Sequence, residues 1–61
     1  MMRNRTSILL VEDDPEVAEM FVLGLSIAGH DVEMAGDGRR AFERANQQRF
    51  DLVLLEQIFA I

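Results

Sequence analysis

The stretch Ile8-Leu9-Leu10-Val11-Glu12-Asp13-Asp14-Pro15 decides the fold. Four consecutive apolar residues run straight into three carboxylates and a proline. An unbroken apolar run, rather than an alternating one, fits a strand covered on both faces, as in a parallel α/β sheet. A helix start follows at once. Asp14 is a good N-cap, Pro15 suits the first helical position, and Glu16 complements the positive helix end. Glu12 and Asp13 are thereby left at the carboxyl end of a buried strand, where open α/β sheets bind ligands.

Working outward, the first strand covers 7–11 and the helix 15–28, stopped by Gly29 as a left-handed C′ residue. Val17, Ala18, Phe21, Leu25 and Ala28 share one helix face, the expected core stripe. Met20, Leu23 and Ile27 form a second apolar stripe. Two readings of it stand open: flanking elements within the same domain, or an intermolecular partner. The alternation of Asp31-Val32-Glu33-Met34-Ala35 predicts a second strand with one less buried face. Gly36-Asp37-Gly38 is a turn. A second helix follows over 39–48, with Ala41, Phe42 and Ala45 inward and Phe42 as its anchor. Arg39, Arg40, Glu43, Arg44, Asn46 and Gln47 fall on its solvated face, where Glu43 has a local partner within reach.

Leu52-Val53-Leu54-Leu55 is a third strand, again continuous and apolar, ending in Glu56. The apolar tail 57–61 either extends that strand or starts a helix. The sum is β-α-β-α-β with short connections and right-handed crossovers. The expected strand order is 2-1-3 with one helix on each face. The ends of the first and third strands then meet at the switch point, bringing Glu12, Asp13 and Glu56 together.

Composition bounds the function. Sixty-one residues make one domain at most, and a chain of this size buries only about 60% of its unfolded surface. It has no cysteine, hence neither a disulfide nor a thiolate metal site. Eleven acidic against six basic residues give a net charge of −5, which argues against nucleic acid or an anionic membrane as a direct partner. The basic start at 1–6 reads as solvated tail, Arg3 and Arg5 included. The apolar run behind it is too short for a secretory signal or a membrane span, so the cytoplasm is the expected compartment.

Positions 8–15, Asp37-Gly38 before an Ala-rich helix, and Asp51-Leu-Val-Leu-Leu-Glu56 together resemble the receiver domain of two-component response regulators. The likeness runs from Ser7 to Glu56 and covers the N-terminal half of a receiver, so 1–61 reads as a partial receiver domain. It implies a flavodoxin-like, doubly wound parallel sheet, truncated to β-α-β-α-β, and a role in phosphorelay signal transduction. Position by position, Glu12 and Asp13 fall on the family's acidic pair, which holds Mg²⁺. Glu56 falls on its phospho-accepting aspartate, and Ile58 where a backbone carbonyl contacts the metal.

Three departures follow. Glu56 sets the acceptor carboxylate one methylene further out, and a misplacement of about 1 Å can cost about 100-fold in rate. The family's later Thr/Ser and Lys switch residues have no counterpart. Phe59-Ala60-Ile61 stands where a proline usually follows the acceptor. Glu56 therefore either mimics the phosphorylated state in part, carrying one charge against roughly −1.5 to −2, or disables the site.

Three carboxylates in one crevice repel unless a cation or protons neutralise them, and an all-oxygen set suits Mg²⁺. The plainer account leaves Glu12 and Asp13 as a solvated strand end. For Asp14 helix capping is the stronger account. His30, after the helix-terminal glycine, reads as a surface residue near a negative helix end. The expected function is a truncated, acceptor-substituted receiver-like module that works through protein–protein contact, with no enzymatic activity of its own. A histidine kinase or an output domain is its natural partner. A homodimer through the third strand and the C-terminal tail, also covering Met20, Leu23 and Ile27, is expected from the unpaired strand edge. Two other classes remain open: the N-terminal piece of a phosphoryl-accepting response regulator, or a structural or engineered self-assembling half-domain.

Overall fold

The computed structural model describes residues 5–55. Its elements are β1 (Ser7–Val11), α1 (Pro15–Ile27), β2 (Asp31–Ala35), α2 (Gly38–Gln47) and β3 (Leu52–Leu55). All three strands are parallel, in the order β2-β1-β3. β1 is the middle strand, and Ile8, Leu9, Leu10 and Val11 are all buried. The continuous apolar run thus has its physical reason: a neighbour on each edge and a helix over each face. The connection β1-α1-β2 steps one way across the sheet and β2-α2-β3 steps back. Right-handed crossovers then put the two helices on opposite faces.

Register shows which side chains face which helix. Paired residues of parallel strands point to the same face, so Leu9 and Val11 share a face with Glu33, Ala35, Val53 and Leu55. On that face Leu9, Val11, Ala35 and Ala41 of α2 form one buried cluster, with Phe50 packed against it. Ile8 and Leu10 point to the other face with Val32, Met34, Leu52 and Leu54. Ala18 is the residue of α1 that is fully buried.

The caps of α1 are local. Asp14 Oδ1 accepts from the backbone N–H of Glu16 at 3.0 Å and of Val17 at 3.4 Å. At the other end Gly29 takes φ +99°. Its N–H donates to the Ser26 carbonyl at 3.0 Å, and that of His30 to the Leu25 carbonyl at 3.1 Å, which is the Schellman closure. For α2, Asp37 is more than part of a turn: its Oδ1 accepts from the Arg40 N–H at 2.8 Å and caps the helix.

Two expectations for α2 are corrected. Phe42 does not anchor the helix; it is 70% exposed. Ala45 is also exposed and borders a shallow hollow beside Phe50 and Val53. The cause is the rotation of the helix. Arg44 is only half-exposed, and its guanidinium grips both carboxylate oxygens of Glu33 on β2, with Nη2 2.8 Å from Oε1. Gln47 and Gln48 accept further bonds from the same guanidinium at 2.6 and 2.9 Å. With Arg44 held over β2, small Ala41 makes the close approach to the sheet. Phe42, about 100° further round, turns outward. On α1 the inward face holds Ala18 with half-buried Val17, Val22 and Leu25, while Phe21 and Ala28, expected on the core stripe, are exposed. Arg5 is not free tail either, since its Nε lies 3.3 Å from Asp31 Oδ1.

The Arg44 hydrogen bonds, opposed by partial burial and helped by direct charge attraction, hold the Glu33 carboxyl below the ordinary carboxylate value. A depressed carboxyl stabilises the fold above its unfolded pKa and loses that contribution as pH falls through the folded pKa. Glu33→Gln should therefore lower stability at pH 7, and the gap to wild type should close on acidification below the normal carboxylate range. Urea midpoints at a series of pH values check this; a gap that is constant with pH contradicts the clamp.

Candidate functional site

The site grows from the end of β1. The Glu12 N–H donates to the Ala35 carbonyl at 3.0 Å, which carries the ladder one residue past the strand. The chain then breaks sharply into α1. Glu12 is half-buried, and its Oε2 accepts from the Asp14 N–H at 3.0 Å. That bond bends the Glu12 side chain along its own turn, and Asp14 is occupied with capping. Asp13, between them, is exposed. β1 and β3 are paired through Val11 opposite Leu55, so the carboxyl ends of these two strands lie side by side.

The opposite end of the sheet is built differently. There the Ser7 N–H donates to Asp51 Oδ2 at 2.8 Å, and the Asp51 N–H returns to the Ser7 carbonyl at 2.8 Å. The Asp31 N–H donates to the Thr6 carbonyl at 2.9 Å. Carboxylates at the amino end are thus spent on holding strands together. At the carboxyl end Asp13 is exposed and has no hydrogen-bond partner among the described residues.

The chain matches curated proteins of one kind. It is 44% identical over 52 residues to the DNA-binding response regulator MtrA of Mycolicibacterium smegmatis, a match covering 85% of this chain and 23% of that protein. It is 37% identical over 49 residues to the DNA-binding dual master transcriptional regulator RpaA of a Synechocystis strain, covering 80% of this chain and 20% of that one. The chain belongs to the response-regulator receiver family. It spans about a fifth of the length of these relatives. No protein-family model and no solved structure matches it.

For this receiver segment the β-α-β-α-β sheet in order 2-1-3 is the expected architecture, and it is the one observed. Of the residues that the receiver resemblance singles out, Glu12 and Asp13 sit together at the end of β1. Glu56 and Ile58, with the rest of the tail 57–61, lie outside the described residues. Among the described residues no group of three or more His, Cys, Asp or Glu side chains is arranged to hold a metal. The two carboxylates of Glu12 and Asp13 are nevertheless a compatible donor set. Mg²⁺ is usually held by one or two carboxylates, with water filling the remaining octahedral positions.

Among the described residues no helix is long and apolar enough to cross a membrane. Sequence reasoning missed the Arg44–Glu33 pair and the Asp51–Ser7 clasp. Each joins residues far apart in the chain, and only the register reveals them. From the sequence Asp37 reads as part of a turn, with the helix starting at 39; the helix starts at Gly38, which makes Asp37 its N-cap.

Proposed function

We propose that this chain acts as a receiver-like signalling module of a two-component phosphorelay, working through protein–protein contact and not as an enzyme. One observation carries most of this reading. The pairing of Val11 with Leu55 sets the end of β1, with Glu12 and Asp13, beside the end of β3, directly before Glu56. In the reading, Glu12, Asp13 and the Ile58 carbonyl are the Mg²⁺ contacts and Glu56 occupies the phospho-acceptor position. A bound Mg²⁺ would supply positive charge that relieves repulsion among these carboxylates.

Glu56 makes phosphoryl acceptance unfavourable on this account. In-line transfer depends on placement, and the longer side chain moves the accepting oxygen off the family's position. The module then signals by a fixed surface, presented to a histidine kinase, an output domain or a second copy. For the last of these, β3 is an edge of the described sheet, with Leu52, Val53 and Leu55 exposed. An uncharged strand edge with free N–H and C=O groups favours pairing with another strand.

Two measurements test the reading. Incubation with acetyl phosphate and Mg²⁺, followed by intact-mass measurement, should leave the mass unchanged. A phosphoryl adduct on Glu56 would instead make the chain a phosphoryl-accepting regulator. Light scattering of the variant Val53→Pro should give a smaller species than wild type, because proline removes a strand N–H. Equal sizes would remove β3 from the interface.

A further inference from the structure

We draw no further inference here: the strongest candidate, the exposed apolar row of Met20, Leu23 and Ile27 on the side of α1 opposite buried Ala18, is an unpartnered helix face, and nothing in the structure shows what covers it.

Discussion

The structure depends on the complete burial of β1. Ile8, Leu9, Leu10 and Val11 are withdrawn from water on both faces and bonded along both edges. A strand placed so has no polar side chain available within it, and any charge must come at its ends. The sequence meets that constraint by changing from apolar to acidic within one residue, from Val11 to Glu12. The same burial requires a helix over each face. Both crossovers supply one, through Ala18 of α1 and Ala41 of α2, residues small enough to bring a helix close to the sheet.

The two ends of the sheet divide the work. At the amino end, Asp51 and Asp31 are tied to Ser7, Thr6 and Arg5, and their polar groups are consumed by structure. At the carboxyl end, Asp14 and Asp37 cap the two helices, and Glu12 closes its own turn. Asp13 is left exposed beside the pairing of β1 and β3. Kinship with response regulators gives this residual carboxylate a functional context that strand ends alone do not.

What could be read from the chain follows the range of the interactions. Continuous apolar runs marked β1 and β3, and Asp14-Pro15 and Gly29 marked both ends of α1, because caps and strand patterns act within a few residues. The 2-1-3 order followed from connection length and handedness. The rotation of α2 was not legible. Helical spacing lets Phe42 share the inward side with Ala41 and Ala45, and the grip of Arg44 on Glu33, across two elements, goes with the rotation that turns Phe42 out. The outer row of α1 was visible as an apolar stripe, but its direction relative to the sheet needed the position of Ala18. For the candidate site, Glu12 and Asp13 were legible from the strand-to-helix break; the occupation of Glu12 by the Asp14 N–H was not.

The central claim is that the acidic tip of β1 and the end of β3 form one edge of the molecule. Titration with Mn²⁺, read as paramagnetic broadening of backbone amide resonances, tests it most directly. The account predicts that Glu12, Asp13 and Leu55 broaden together while Ser7, Asp31 and Asp51 at the far end stay sharp. Broadening that reaches Asp13 but spares Leu55, or that centres on the far end, contradicts it.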